Sequence, residues 1–481
     1  MRGQAIIKIL GALLMFFSMT MIPPIFIGYA YADSQPGPFW IALIVTVSSG
    51  FLLWFPTRHS KTELKTRDGF LIVVLFWTVL SLFASIPLIV GPHLSFIDAL
   101  FVSVSGFTTT GMSAIQYLDR MPHAILYYRQ QLQFIGGMGI IVLAVAILPM
   151  IGVGGMQLYR AETPGPMKDD KLAPRIVQTA KITCFIYVTL CICCFFIYWL
   201  CGMKLFDAVC ESFSTVSTGG YNIHESSFAF YQSPLIRITG IVFMALGGIN
   251  FSLHYIAIAH GKLKRYWQNL ECRMFLTIVC TVSIIISIGL ILRNYYPVKG
   301  EAIMNGFFNT VSLMTTTGFT YGSYNEWPGF MPILLMICCF IGACGGSTSG
   351  GLKVIRLLIL QKQINREVKQ LIHPHAVYPL KLENKVLPVE IIQSIWAFFA
   401  VYCTIYVVII MLLMMDGMNF TSAFGTAVAS FSNTGVGIGD YAYNMHSATT
   451  LSKTICIFAM LAGRLEVFTL LVIFSRSFWR R

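Results

Sequence analysis

Long apolar runs alternate with short polar ones along the whole chain, and the runs have the length of bilayer-crossing helices. Such a helix needs roughly 20 apolar residues, and the sequence supplies about ten stretches of that kind. Two opening stretches, around 5–30 and 38–56, stand apart from the rest of the chain. Beyond the basic segment Arg58–Arg67 the pattern repeats four times: a long helix, a short apolar segment, a turn rich in hydroxyls and glycine, and a second long helix. The long helices are predicted near 68–91 and 123–151, 176–201 and 233–259, 271–293 and 328–360, and 387–415 and 449–479. The first stretch, near Ile6–Tyr29, is too long for a secretory signal and lacks a small-residue cleavage site, so it reads as a membrane helix.

The four turns are alike. They are Phe107-Thr108-Thr109-Thr110-Gly111-Met112, Thr215-Val216-Ser217-Thr218-Gly219-Gly220, Met314-Thr315-Thr316-Thr317-Gly318-Phe319 and Phe431-Ser432-Asn433-Thr434-Gly435-Val436. Their glycines lie roughly a hundred residues apart, far beyond the about 20–50 of solenoid repeats. The short segment before each turn, roughly 10–13 residues, cannot span a bilayer and suits a re-entrant half-helix. Asp98, Asp207, Asn305 and Ser422 (or Thr421) stand before the four turns as expected caps of those half-helices. Their side-chain oxygens can satisfy the free amides of a first helical turn.

Composition agrees with a membrane protein: 56% of the residues are hydrophobic and 11% charged. Soluble domains carry about 25% charged residues. The formal net charge of +13 is concentrated in Arg58–Arg67, Arg160–Lys181, Lys262–Arg273, Lys353–Lys385 and Arg476–Arg481. The positive-inside rule puts these segments and both termini in the cytoplasm. A basic inner face attracts anionic lipid or an acidic partner. Nucleic acid is the weaker reading and is not the expected partner, because there is neither a binding fold nor aromatics interleaved with the basic runs. The cysteines, such as Cys191, Cys193, Cys194, Cys338 and Cys339, sit inside apolar helices and read as small hydrophobes. No pair of CxxC units with zinc spacing occurs.

Irregular backbone at membrane depth is tolerated only where protein buries it or where it lines a watery cavity. Glycine reaches dihedrals closed to other residues, and the neighbouring threonines add oxygens without net charge. Carbonyl oxygens that replace a hydration shell are a known way to pass potassium. A half-helix ending at each turn adds the partial negative charge of its C-terminus. The candidate ion-binding residues are therefore Thr109, Thr110, Gly111, Ser217, Thr218, Gly219, Thr316, Thr317, Gly318, Asn433, Thr434 and Gly435. Calcium usually takes several carboxylates, and these motifs contain none, so the lining suits monovalent K⁺. Glu211 and Asp440 lie nearby and read as vestibule or structural groups.

Two features suggest a gate. The run Gly342-Ala343-Cys344-Gly345-Gly346-Ser347-Thr348-Ser349-Gly350-Gly351 interrupts the second helix of unit three. Each glycine costs a helix about 1 kcal/mol relative to alanine, so this run should open into an intramembrane loop. It lacks the lysine and hydroxyl of a phosphate-cradling loop. Arg464 falls near the middle of the last helix. There it costs at least about 2.5–3.5 kcal/mol and should face the protein interior or water. Glu466, two residues on, points to another face and is not expected to pair with it. Lone histidines such as His123, His224, His254 and His446 have no partner at ligand spacing and read as structural. Arg129 and the small-residue run Gly136–Gly139 read as packing that supports the first turn.

The chain resembles the potassium-uptake subunits of the Trk/Ktr/HKT superfamily of cation transporters over essentially its whole length. The resemblance rests on the four turns and the opening helix pair, on Tyr128-Arg129-Gln130 with Phe134-Ile135-Gly136-Gly137-Met138-Gly139, on Gly154-Gly155-Met156-Gln157-Leu158-Tyr159-Arg160, and on Gly463-Arg464-Leu465-Glu466-Val467-Phe468. It implies that Gly111, Gly219, Gly318 and Gly435 are the filter glycines, one per unit. Units two and four depart from Thr-Thr-Gly through Val216-Ser217 and Ser432-Asn433, which makes the filter asymmetric. It also implies that Gly345, Gly346, Ser347, Thr348, Ser349, Gly350 and Gly351 form a mobile gating loop working with Arg464. The expected setting is the bacterial cytoplasmic (inner) membrane. The expected assembly is a homodimer with TrkA-like cytosolic nucleotide-binding regulatory subunits.

The expected fold is an all-α polytopic membrane protein with four pseudo-repeated helix–pore-helix–helix units around one pore, plus two peripheral N-terminal helices. Its divisions are residues 1–66, 67–152, 153–262, 263–370 and 371–481. The expected activity is K⁺ uptake through a gated, channel-like pore, with no organic cofactor. A proton- or sodium-coupled symporter is the alternative. Symporters typically carry inverted repeats and intramembrane carboxylates, whereas these repeats run parallel and such carboxylates are scarce. An enzyme would need a polar catalytic cluster at helix ends, and none is apparent.

Overall fold

The computed structural model describes residues 3–33, 35–59, 66–142, 172–259, 261–382 and 385–479. The Gly154–Arg160 stretch, the end of the helix expected over 123–151 and much of the basic segment Arg160–Lys181 lie outside the described residues. The architecture is helical, as the apolar runs require. Among the described residues the one strand pairing joins Lys381–Leu382 to Lys385–Val386.

The opening pair is α1 (Gly3–Ser18) with α2 (Ile22–Ala30), and α3 (Gly37–Thr57). α1 and α2 form one span broken by a single tight turn at Met19–Met21, just before Pro23 and Pro24. α1 and α3 cross where Gly11 meets Gly50: a Cβ on Gly11 would lie 2.7 Å from the Gly50 carbonyl. Small residues let helix backbones approach this closely in membranes.

Unit one contains α4 (Thr66–Ala84), α5 (Ile86–Val90), the short helix α6 (Phe96–Phe107) and α7 (His123–Val142). Unit two contains α8 (Leu172–Leu200), the short α9 (Leu205–Val216), α10 (Pro234–Gly248) and α11 (Phe251–Ala259). After α12 (Lys264–Gln268), unit three contains α13 (Leu270–Leu292), the short α14 (Lys299–Met314), α15 (Met331–Ile341) and α16 (Val354–Ile372). Unit four contains α17 (Val389–Met415), the short α18 (Phe420–Phe431), α19 (Thr450–Arg464), α20 (Phe468–Phe474) and α21 (Arg476–Trp479).

Six described helices are long and apolar enough to span a membrane, and two bent pairs bring the number to eight. The bends correct two expectations. The helix expected over 233–259 turns by 98° between α10 and α11, and the one expected over 449–479 turns by 111° between α19 and α20. Arg464 therefore ends a helix rather than sitting in the middle of one. The backbone reverses there because Glu466 and Val467 both adopt positive φ, 52° and 47°. That conformation is unusual for any residue but glycine and a true outlier for a β-branched one.

The capping residues also differ. Asp98 and Ser422 donate their backbone amides to the real caps: Ser95 Oγ accepts from Asp98 at 3.2 Å, and Asn419 Oδ1 accepts from Ser422 at 2.8 Å. The acid of a Ser-x-x-Asp box belongs three residues inside the helix, where it favours the positive end of the helix dipole. α9 and α14 start without a side-chain cap, and Asp207 and Asn305 lie within them.

One continuous apolar core joins the units, with Trp77, Tyr128, Phe228 and Phe431 all buried. The outer surface is apolar too: Leu200 is 79%, Leu292 76% and Met415 81% exposed. A surface of that kind fits lipid rather than water.

Candidate functional site

The four turns meet. A Cβ on Gly111 would lie 2.1 Å from the Gly219 carbonyl oxygen, one on Gly220 1.8 Å from that of Thr317, one on Gly318 2.0 Å from that of Thr434, and one on Gly435 2.2 Å from that of Thr110. Units one, two, three and four therefore follow each other in a closed ring, each backbone pressed against the next. Only glycine fits at these contacts. All four glycines also hold positive φ, at 85°, 76°, 84° and 83°.

This pattern corrects the expected register of unit two. Two residues before each ring glycine stands a second left-handed residue: Thr109, Thr218, Thr316 and Asn433. Thr110, Gly219, Thr317 and Thr434 then each donate an amide five residues back, to Ser105, Ser214, Ser312 and Ala429. Gly220 is thus the structural counterpart of Gly111, Gly318 and Gly435, and Gly219 is the counterpart of Thr110. Gly219 is glycine for another reason: a Cβ there would meet the Gln133 side chain at 2.5 Å. Ser217 aligns with Thr108, Thr315 and Ser432 as the residue that ends the short helix.

Left-handed threonines cost about 1–3 kcal/mol each and persist only where the surroundings hold them. Here the Gly342–Gly351 run and Arg464 supply much of the hold. The run opens between α15 and α16, as its glycine content predicts. Thr348 Oγ1 receives a hydrogen bond from Thr218 Oγ1 at 3.0 Å. The Gly350 amide donates to Thr316 Oγ1 at 2.7 Å, and a Cβ on Gly350 would lie 2.0 Å from the Ser432 carbonyl. Arg464 Nη2 donates to Thr109 Oγ1 and, at 2.9 Å, to the Thr348 carbonyl. Loop and arginine together touch all four turns. Asn433 Nδ2 donates to Thr110 Oγ1 and the Met460 carbonyl, both at 2.9 Å, tying turn four to turn one.

The rest of the loop is anchored to its surroundings. The Gly345 amide donates to Glu271 Oε1 at 2.6 Å, and the Phe251 amide to the Gly346 carbonyl at 3.1 Å. Ser347 Oγ donates to the Cys344 carbonyl, and Lys353 Nζ to that of Ser349. The bend between α10 and α11 falls where these bonds form, because backbone groups released from that helix pair with the loop. Gly351 meets Gly342 backbone to backbone, with a Cβ-to-Cα distance of 2.9 Å. Arg356 pairs with Glu466 at 2.6 Å, which fixes the break after Arg464. Glu466 makes no hydrogen bond with Arg464; the helix ends between them, so the reason is the backbone reversal rather than opposite faces of one helix.

Some contributors were not anticipated. Gln133 Nε2 donates to the Gly219 carbonyl at 2.7 Å, while its Oε1 accepts from Ser214 Oγ and the Tyr221 amide. Gln130 donates to the Tyr221 carbonyl at 2.8 Å. Their signal was the three amides Gln130, Gln131 and Gln133 among the apolar residues of a membrane helix. Buried Arg129 lies 4.2 Å over the Tyr221 ring, after turn two, and donates to Ser113 Oγ, after turn one, at 3.4 Å, so it supports both segments. Glu211 and Asp440 are structural: Glu211 accepts from the Ile223 amide, and Asp440 from Asn419 and Ser422.

The whole chain has known relatives. The TrkH family of cation transport proteins matches residues 38–481. The chain belongs to the TrkH family. It is 47% identical to the Trk system potassium uptake proteins TrkH of Salmonella typhimurium and Escherichia coli K12, over 100% of both chains in each case. It is 39% identical to the E. coli protein TrkG over 98% of this chain and 97% of that one. The crystal structure of the potassium transporter TrkH from Vibrio parahaemolyticus superposes with a TM-score of 0.92 at 42% identity, covering 100% of both. These are transport proteins, and the TrkH family is a family of transporters rather than enzymes.

On one flank of the ring, this TrkH-family chain carries a small ionic cluster. His224 Nδ1 bonds Asp119 at 2.9 Å, Asp207 lies 3.6 Å from Nε2, and the ring stacks on Phe230. Burial disfavours the imidazolium, but the Asp207 and Asp119 carboxylates outweigh it and hold the pKa above its ordinary value. A raised histidine pKa stabilises the fold fully below the ordinary value of about 6.5, and that stability is lost as pH rises through the raised value. His224→Gln should therefore remove one component of the fall in melting temperature as pH rises above about 6.5. An unchanged pH slope in the purified variant would contradict the pairing.

Proposed function

We propose that this protein takes up potassium across the bacterial cytoplasmic membrane, through a pore whose filter is the ring of four turns. The observation that carries this reading is the closed ring, in which each left-handed glycine lies against the equivalent carbonyl of the next unit. The motifs at the ring hold oxygens and no carboxylate, which suits a monovalent ion stripped of water. Four short helices end at these turns, and their C-terminal dipoles favour a cation. The potassium uptake named for the relatives supports K⁺ as the ion. We place Thr109, Thr110, Gly111, Ser217, Thr218, Gly219, Thr316, Thr317, Gly318, Asn433, Thr434 and Gly435 around the ion, and add Gly220.

In this reading the Gly345–Gly351 loop and Arg464 are the gate. At about 6 Å and an effective dielectric of about 20, a guanidinium raises the energy of K⁺ by about 3 kcal/mol. The contacts of Arg464 with Thr109 and Thr348 suit a closed state. The basic loops and both termini face the cytoplasm, where a TrkA-like nucleotide-binding subunit would act on the loop of each chain in a homodimer. We assign the four units to 67–152, 153–262, 263–370 and 371–481, after the pair in 1–66.

Flux into liposomes tests the filter. Gly318→Ser places a Cβ against the Thr434 carbonyl and should lower the K⁺-over-Na⁺ flux ratio on the order of tenfold, about 1.4 kcal/mol. A variant that elutes as a single folded species with unchanged discrimination would count against the filter. Arg464→Gln should raise K⁺ flux in the absence of any regulator on the order of tenfold, by removing charge from the path. Flux equal to or below that of the parent protein would argue against the gate.

A further inference from the structure

Away from the ring, α13 and α16 enclose a cleft of about 540 Å³, within the range of small-molecule sites. One wall is a stripe along α13 that includes Leu270, Arg273, Met274 and Ile278, and the other includes Leu358 and Lys362 of α16. The α13 stripe is mostly apolar, with Arg273 beside it, while α16 contributes Leu358 together with Gln361, Lys362 and Asn365. No carboxylate lines the cleft. Arg273 is exposed and has no ion pair among the described residues. Lys362 donates one hydrogen bond to the Lys381 carbonyl at 2.7 Å, and an ammonium carries two further donors. Both cations belong to the basic segments Lys262–Arg273 and Lys353–Lys385, at the end of α13 where the membrane span begins.

Two cations without an ion pair, lining a largely apolar cleft at a membrane boundary, match an anionic amphiphile. We propose that this cleft binds an anionic phospholipid, its phosphate held by Arg273 and Lys362 and an acyl chain against Met274, Ile278 and Leu358. Charge complementarity selects the headgroup, because the site is doubly positive with no acid to balance it. The apolar walls select a lipid over a free phosphate. The cleft also sits where it can steady the loop from two sides. Glu271, next to Arg273's neighbour Cys272 on α13, holds the Gly345 amide, and α16 begins as the loop ends.

Native mass spectrometry of the full-length protein in mild detergent tests this. Phosphatidylglycerol should be retained at lower concentrations than phosphatidylcholine. The double variant Arg273→Gln with Lys362→Gln should weaken phosphatidylglycerol retention about thirtyfold, from the usual contribution of two basic residues near an anionic lipid. Arg273→Lys should retain most of the binding, and Lys262→Gln with Lys264→Gln, outside the cleft, should leave it unchanged. Equal retention of the two lipids, or undiminished phosphatidylglycerol binding by the double variant, would overturn the proposal. So would displacement of the lipid by glycerol phosphate at equal concentration, which would mark a simple phosphate site. A double variant that loses dimers in lipid-free detergent would make the cleft a contact between two copies, again against the proposal.

Discussion

The structure depends on backbone touching backbone where four chain segments reverse inside the membrane. Each contact pairs a glycine with a carbonyl oxygen of the next unit, at a distance that excludes even a methyl group. The reversals cost conformational energy, since threonine or asparagine occupies a left-handed position in every unit. Irregular backbone at this depth survives only if protein or water satisfies its polar groups. The surrounding side chains do much of that: Gln133 at turn two, the Thr108–Thr110 and Thr315–Thr317 hydroxyl pairs at turns one and three, and Asn433 between turns four and one. Gly219 carries no hydroxyl, so turn two cannot make the paired-threonine contact and relies on Gln133 instead. The asymmetry of the motifs thus has a structural counterpart.

The same left-handed threonines that strain the turns present hydroxyls to one side of the ring. There the Gly342–Gly351 loop and Arg464 meet them. A buried arginine is costly in a membrane protein, at least about 2.5–3.5 kcal/mol. Among the described residues no carboxylate lies at ion-pair distance from Arg464, which instead uses the Thr109 hydroxyl and the Thr348 carbonyl. Its charge is therefore only partly compensated. Glycine makes the loop cheap to reshape, while Glu271 at Gly345 and Lys353 at Ser349 hold it.

Much of this was legible in the sequence, for identifiable reasons. Repetition exposed the four units, and glycine density exposed the break between Ile341 and Val354. Less legible was anything set by tertiary contact. The Gly219-Gly220 pair offered two glycines for one left-handed position, and only the neighbouring unit and Gln133 distinguish them. Asp98 looked like a cap because acids favour helix starts, but Ser95 three residues earlier completes the box. The bends after Gly248 and Arg464 carry no proline. The first forms because the loop pairs with the released backbone, and the second because Arg356 holds Glu466 in place. Nothing in the sequence singles out Glu271, since its partner is an amide 74 residues away.

The central claim is that the ring holds a dehydrated monovalent cation. Crystals grown with Tl⁺ in place of K⁺ test it through anomalous scattering. The account predicts a peak inside the ring bounded by Thr110, Gly219, Thr317 and Thr434. An empty ring, with thallium found only elsewhere on the protein, would contradict it.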